Sequence, residues 1–392
     1  MNYSSGGYYQ PPENGNGYEN NNVYGNNNVY HTSSGFRPFQ RMSHFVPYEV
    51  WMREKNYIKK LSTLAACAVI AFIVLSGVFV GVFQGIFMAI SMFDGFDNVT
   101  FSEKWESAEF MYLFETIYSV LIVGGPFFLL GLYLSKKGML TSIPVGKPKN
   151  AKYLPLIVLG GFGFCLAGNI ITSYFDAIVE AVSGFGLEMP EMPSTPKSVI
   201  GVLLFYLSTA VAPALVEEMA LRGIIMQSLR RYGDWFAIIC TSLIFGLMHC
   251  NLLQIPFAFI AGIALGYAVV VTESVWTGVL IHFLNNAFAV TVSIINDFYG
   301  MDSVQYIVSD VVFYALVVIG LVCAFVYVKK LDKTQFRKSP LVNSGKHFVG
   351  FAPPFSAKIS NGTLYKTYFV TAPMIIAFIA VAYETVMALI LL

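Results

Sequence analysis

The feature that most constrains the fold is a series of apolar runs, most of them about as long as the roughly 20 residues that a helix needs to cross a bilayer. Over the whole chain 56% of the residues are hydrophobic and only 12% are charged. A soluble globular protein carries about 25% charged residues. The sequence therefore predicts an all-α fold, a polytopic transmembrane helix bundle.

The apolar runs predict about nine spanning helices, of which the first is long and the sixth is short. We place them at residues 62–93, 111–134, 153–175, 198–226, 235–252, 256–271, 275–297, 306–328 and 369–392. The chain divides into a tail (1–45), a basic collar with three helices (46–197), a four-helix core (198–297), an eighth helix (298–330) and a basic segment with the last helix (331–392).

The first 45 residues are rich in Asn, Gly, Tyr and Ser and include the repeat "NNNVYGNNNVY". Such a stretch lacks the aliphatic residues needed for a core, so we predict that residues 1–45 are disordered. The tyrosines could dock an unknown partner, although a plain tether is the favoured interpretation.

Charge in the loops predicts the orientation of the bundle, since cytoplasmic loops carry an excess of Lys and Arg. Every second loop is basic, namely residues 53–60, 136–152, 222–231 and 329–338, whereas the alternate loops are acidic. We therefore expect a cytoplasmic N-terminus and a C-terminus outside, in the plasma membrane of a bacterium. The net charge of +1 gives no indication of a nucleic-acid partner, and we expect none.

Polar groups concentrate in three of the predicted helices. Adjacent glutamates, Glu217 and Glu218, occur in the fourth helix, although an ionised group in hydrocarbon costs a few kcal/mol. His249 is in the fifth helix, and the seventh contains His282 and Asn286. The other three histidines fall in segments predicted to lie outside the membrane. This clustering predicts a functional site.

Spacing predicts that these side chains lie at one depth. Glu217 is sixteen residues before Gly233, and His249 is sixteen residues after it. At about 1.5 Å per residue, both lie about 24 Å from the turn and are level in an antiparallel hairpin. His282 and Asn286 are four residues apart, so they share one face of their helix at a similar depth.

The arrangement predicts separate roles for the two acids. Arg222 follows Glu218 by four residues, in the order that favours an ion pair. Glu217 points about 100° away and faces the bundle interior, where it can take a proton from water. His249 would share or hold that water.

The seventh helix supplies the remaining groups. The side chains of His282 and Asn286 can donate hydrogen bonds to an oxyanion that develops on an attacked carbonyl. A carboxylate base, a histidine and two donors around a water predict a hydrolase of amides.

The same residues resemble the CAAX-protease and bacteriocin-processing family (CPBP, or Abi) of membrane-embedded endopeptidases, which is similar to type II CAAX prenyl endopeptidases. The resemblance covers residues 198–297. Three motifs carry it in order: EExxxR from Glu217 to Arg222, FxxxH from Phe245 to His249, and HxxxN from His282 to Asn286.

The resemblance implies a glutamate-type membrane protease that cleaves a membrane-associated peptide or protein within the bilayer. It implies that Glu217 and His249 activate water, that His282 and Asn286 stabilise the tetrahedral intermediate, and that Glu218 and Arg222 are structural. We expect no cofactor. Zinc on Glu217, His249 and His282 is the alternative, but the HExxH motif is absent and no cysteine joins the cluster.

Other interpretations remain open from the sequence alone. The acids and Arg222 could form a structural ion network, and the histidines and Asn286 could join helices by hydrogen bonds. A non-catalytic immunity or scaffold protein would have the same fold. A proton-coupled transporter is disfavoured, because transporters show internal repeats and this chain shows none.

Overall fold

The computed structural model describes residues 46–92, 105–140, 142–184, 186–187, 195–330, 336–342, 356–357 and 359–391. The tail predicted to be disordered, residues 1–45, lies outside the described residues. The prediction of an all-α bundle is confirmed. Extended structure in the described part is confined to Val46–Pro47, which pairs antiparallel with Ser356–Ala357.

Ten helices form the bundle in the part of the chain that the structure describes. They are α1 (Tyr48–Ser91), α2 (Ala108–Lys136), α3 (Ala151–Ser183), α4 (Val199–Tyr232), α5 (Asp234–Leu247), α6 (Gln254–Thr272), α7 (Val275–Tyr299), α8 (Val304–Lys330), α9 (Asn361–Phe369) and α10 (Ala372–Leu391). The basic collar that precedes the first apolar run belongs to α1, which is 44 residues long.

Eight of these helices are long and apolar enough to cross a membrane, among the residues that the structure describes. The exceptions are α9, which has 9 residues, and α5, which has 14. At about 1.5 Å per residue α5 reaches about 21 Å, less than the roughly 30 Å of a bilayer core. The predicted fifth spanning helix is therefore a shorter helix paired with α6 in a hairpin.

The predicted end of the fifth helix is wrong. The prediction extends it to residue 252, but α5 ends at Leu247 and His249 lies in the turn that follows. Cys250 adopts a left-handed conformation with φ of 49°. The side chain of Asn251 then accepts hydrogen bonds from the backbone N–H groups of Leu253 and Gln254, both at 3.0 Å. These bonds satisfy N–H groups at the start of α6, which begins at Gln254, two residues before the predicted start.

Helix α4 is interrupted twice by π-helical turns, at Leu207–Val211 and Met219–Ile225. The α-helical turns between them, Ala212–Glu218, contain both glutamates. A π-turn widens the helix and shifts the hydrogen-bond pattern by one residue, and such turns occur frequently at functional sites. In α4 they frame the acidic pair on both sides.

Close contact between α3 and α8 depends on glycine. A Cβ atom at Gly163 would stand 2.6 Å from the Cα atom of Gly320. Since that distance is too short for any side chain, the two backbones can touch only because both positions are glycine. This crossing fixes α3, which lies against α6 and α7 behind the site.

The basic loops gather at one end of the bundle. The N–H of Lys149 donates to the carbonyl of Thr272 at 2.7 Å, and the N–H of Asp234 donates to the carbonyl of Arg337 at 3.0 Å. Arg231 pairs with Glu54 of α1 at 2.9 Å. The stretches that set the charge asymmetry therefore share one side, and the assignment of that side to the cytoplasm stays a prediction.

The last helix packs against the first. The hydroxyl of Ser62 in α1 donates to the carbonyl of Tyr368 and shares a hydrogen bond of 2.8 Å with Thr371. These contacts anchor the end of α9 and the residue before α10 to α1, and α10 itself packs along α1, although the basic segment 331–368 separates α10 from the other spanning helices in sequence. As a result, α10 is part of the bundle wall that faces α4.

Candidate active site

A cavity of about 390 Å³ lies between α2, α3, α4, α6 and α7 and the turn after α5. All four side chains predicted to be catalytic line it: Glu217, His249, His282 and Asn286. The bundle thus brings together residues that are up to 69 positions apart in the sequence, from Glu217 to Asn286.

The two adjacent glutamates have different surroundings. The side chain of Glu218 is 0% exposed, whereas that of Glu217 is 19% exposed and borders the cavity. Arg222 Nη1 donates to Oε1 of Glu218 at 2.7 Å and its Nη2 donates to the carbonyl of Gly262 at 3.3 Å. The guanidinium therefore neutralises Glu218 and ties α4 to α6, and no arginine of the described residues lies within ion-pair distance of Glu217.

A glycine on α7 makes room for the buried carboxylate. A Cβ atom at Gly278 would stand 2.7 Å from Oε2 of Glu218 and 2.9 Å from the side chain of Val269. Glu218 is thereby enclosed between helices. Any larger residue at position 278 would push the carboxylate away from its partners.

His282 is held by the second glutamate and faces the first. Its Nδ1 lies 3.1 Å from Oε1 of Glu218, and because a carboxylate can only accept, Nδ1–H is the donor. Its Nε2 lies 3.9 Å from Oε2 of Glu217. In the neutral ring Nε2 is therefore an acceptor, and it can donate only when the ring carries both protons.

His249 is oriented by the backbone of its own segment. Nδ1 lies 2.8 Å from the carbonyl of Phe245, so Nδ1–H donates and Nε2 keeps a lone pair. The Phe245 ring meets His249 edge-on at 5.0 Å and His282 at 5.8 Å. Arg222 lies over the same ring, 4.5 Å from its centroid. Phe245 therefore packs against both histidines and the arginine at once.

Asn286 reaches across to α4. Its Nδ2 donates to the carbonyl of Thr209 at 2.9 Å, and its Oδ1 accepts from Asn285 at 3.1 Å. Thr209 lies four residues before Pro213, which has no N–H with which to bond that carbonyl as an α-helix would. The proline and the π-turn therefore free a backbone acceptor for Asn286. One amide hydrogen of Asn286 remains for a ligand.

Several cavity residues were not found from the sequence. Asn285, Ser208 and Glu115 of α2 all border the cavity. A signal existed for Glu115, since it is an acid inside an apolar helix, and for Asn285, since it adjoins Asn286. Neither belongs to a spaced pair, so the pattern gave no reason to connect them with the fourth and seventh helices.

Throughout the described ranges no three His, Cys, Asp or Glu side chains come together in a way that could hold a metal ion. Glu217 and the two histidines, the set considered for zinc, share the cavity but do not converge on a point. We therefore derive no step through a metal.

Comparison with known protein families gives a match over part of the chain. Residues 199–288 match the profile of the family described as type II CAAX prenyl endopeptidase Rce1-like. This segment is Rce1-like. The predicted family resemblance is thereby confirmed for α4, α5, α6 and the first half of α7. No curated protein and no solved structure matches the chain.

The Rce1-like segment contains every side chain predicted from the three motifs, whereas α1, α2, α3 and α10 lie outside it. The match and the eight apolar helices show an integral membrane protein and support a membrane protease. The Rce1-like segment thus supplies Glu217, His249, His282 and Asn286 to the cavity, and α2 and α3 complete its lining.

Proposed function

We propose that this chain is a membrane-embedded endopeptidase that hydrolyses a peptide bond of a membrane-associated peptide or protein. One observation carries the proposal: Glu217 borders the cavity, the ion pair of Arg222 is made with Glu218, and His282 Nε2 lies 3.9 Å from the Glu217 carboxylate. The partly exposed acid is thus available for proton transfer, while the buried acid is neutralised.

Glu217 acts as the general base. Its carboxylate takes a proton from a water, and the water oxygen forms a bond to the scissile carbonyl carbon. His249 Nε2 accepts the second hydrogen of that water and so fixes its position, because Nδ1 is already committed to the carbonyl of Phe245. When the C–N bond breaks, Glu217 returns its proton to the departing amine nitrogen.

The oxyanion is stabilised from α7. Asn286 offers its remaining amide hydrogen, and its bond to Thr209 holds the side chain in place. His282 donates from Nε2 when its ring is doubly protonated, with Glu218 accepting from Nδ1. Donors aimed at the developing charge supply the largest catalytic effect in many hydrolases.

The reaction as proposed needs no metal, because one carboxylate and one imidazole suffice to deprotonate and orient water. Substrates are peptides or proteins presented in or at the bilayer, in the plasma membrane of a bacterium, with the N-terminus of the enzyme in the cytoplasm. Glu218 and Arg222 support the site without contacting substrate.

The proposal is tested by comparing membrane-associated peptides in cells that produce the native chain or its Glu217→Gln variant. Peptides that are cut only in the first sample are expected, with new termini at defined bonds. Asp310→Asn is a matched control. It neutralises an acid in the spanning helix α8, and Asp310 borders neither the candidate active-site cavity nor a second cavity that adjoins it. Identical peptide sets from the native chain and Glu217→Gln would contradict the proposal.

A further inference from the structure

A second cavity adjoins the candidate active site. It has a volume of about 370 Å³ and shares with the first cavity the residues Glu217, His249 and Phe245, together with Tyr118 and Val123. The two spaces therefore meet at the side chains that we assign to water activation. A chain cleaved at this junction must extend in two directions, and the two cavities provide room on both sides.

The second cavity differs in chemistry from the first. Phe72 and Ile73 of α1 form an apolar wall, and Ser76 and Gln254 add neutral polar groups. One charged residue beyond Glu217 borders it, Glu384 of α10. The first cavity carries the two amides and His282, whereas the second contains none of them.

Glu384 forms no ion pair within the described part of the chain. It lies well inside the apolar helix α10, the thirteenth of its 20 residues, and it is an exposed residue that borders the second cavity. Among the described residues no Lys, Arg or His lies within ion-pair distance of it. An acid within a spanning helix is costly and usually marks a functional position. A bound cation would offset that cost.

We propose that the second cavity is a substrate subsite in which Glu384 binds a Lys or Arg side chain close to the scissile bond, an inference that rests on the proposed peptidase function. The aliphatic stem of such a side chain packs along Phe72 and Ile73, and its charged head reaches Glu384. An acidic side chain is rejected, because both Glu384 and Glu217 repel it.

The specificity determinant thus lies outside the Rce1-like segment. The segment 199–288 supplies the reacting groups, while α1 and α10 select the substrate. The hydrogen bonds of Ser62 to Tyr368 of α9 and to Thr371, the residue before α10, anchor the start of α10 to α1. A different C-terminal helix on the same core would therefore change selectivity and keep the chemistry.

The test uses the full chain in lipid vesicles and single-spanning peptides that carry Lys, Gln or Glu at successive positions. Binding is measured first, in a Glu217→Gln background that leaves peptide uncut. We expect the Lys peptides to bind about tenfold more tightly than the Gln peptides at one or two positions. Adding Glu384→Gln should abolish this preference, and Glu384→Lys should reverse it toward Glu. Asp310→Asn should leave it intact.

Cleavage by the native chain is measured second, with the same peptides. Equal binding of Lys and Gln peptides at every position, or a Lys preference that survives Glu384→Gln, would overturn the subsite. A Lys preference that depends on Glu384, without cleavage of any peptide, would sustain the subsite and count against the proposed peptidase function. The two failures are therefore distinguishable.

Discussion

Nδ1 of His282 on α7 donates to Oε1 of Glu218 on α4 across 3.1 Å, and the same oxygen accepts from Arg222 at 2.7 Å. Glu218 therefore does more than form an ion pair with Arg222 inside α4. It sets which nitrogen of His282 faces Glu217, so the second acid of the EExxxR motif positions a group of the HxxxN motif.

Replacing Glu218 tests this positioning. Glu218→Ala leaves Arg222 buried without a counter-charge, and we expect a loss of about 3–5 kcal/mol in the free energy of unfolding. Glu218→Gln keeps an acceptor for His282, so it should retain measurable cleavage, with a lower kcat and a shifted pH profile. Thermal unfolding in detergent and kcat against pH are the measurements. A Glu218→Gln protein with the native pH profile would contradict a role toward His282.

Asn286 is expected to act on kcat. Asn286→Ala removes the amide hydrogen offered to the oxyanion and should lower kcat by about 10²–10³, with little change in KM. Steady-state kinetics on a cleaved membrane peptide provide the measurement. Asn296→Ala is the control, because Asn296 is on the same helix and does not border the cavity. Native kcat in Asn286→Ala would exclude this donor from the mechanism.

Pro213 is expected to affect catalysis through Asn286. Pro213→Ala restores an N–H four residues after Thr209, which competes for the carbonyl that Asn286 uses. The loss of that anchor should lower kcat about 3- to 10-fold, the effect of one hydrogen bond, without lowering stability. Pro155→Ala, at the exposed start of α3, is the matched control and should be neutral. Unchanged kcat in Pro213→Ala would mean that the π-turn alone frees the carbonyl.

Gly278 is expected to be intolerant of any side chain. Gly278→Ala places a methyl group 2.7 Å from Oε2 of Glu218, and we expect a loss of about 1–3 kcal/mol in stability. Gly81→Ala in α1 serves for comparison, since a Cβ there meets no atom within 4 Å. The measurement is the thermal unfolding of both variants. A Gly278→Ala protein as stable as Gly81→Ala would show that the carboxylate can move aside.

The helical bundle was predictable because lipid demands long apolar runs, which leave a clear pattern in the sequence. The end of α5 was not, since the run of apolar letters continues past Leu247 and nothing in it signals the left-handed Cys250. The capping by Asn251 became evident only once the turn was seen. An apolar run therefore predicts the presence of a helix more reliably than the residue at which that helix ends.

Motif spacing and depth along the helices predicted that four side chains would lie around one cavity, namely Glu217, His249, His282 and Asn286. The hydrogen-bond partners of these residues could not be predicted from the sequence. Thr209 became available through a π-turn, which leaves no periodic signal in an all-apolar helix. Glu384 comes from a helix more than 160 residues beyond Glu217, so only tertiary packing brings it near.

The most direct test of the account is the rate at which the purified chain, in lipid vesicles, cleaves a membrane peptide identified from cells. We expect Glu217→Gln and His249→Ala each to lower kcat by at least about 10²-fold, because each removes a group that deprotonates or holds the water. Both should keep the unfolding temperature of the native chain, and Asp310→Asn should keep its rate as well. Cleavage by Glu217→Gln at the native rate would contradict the assignment of this carboxylate as the base.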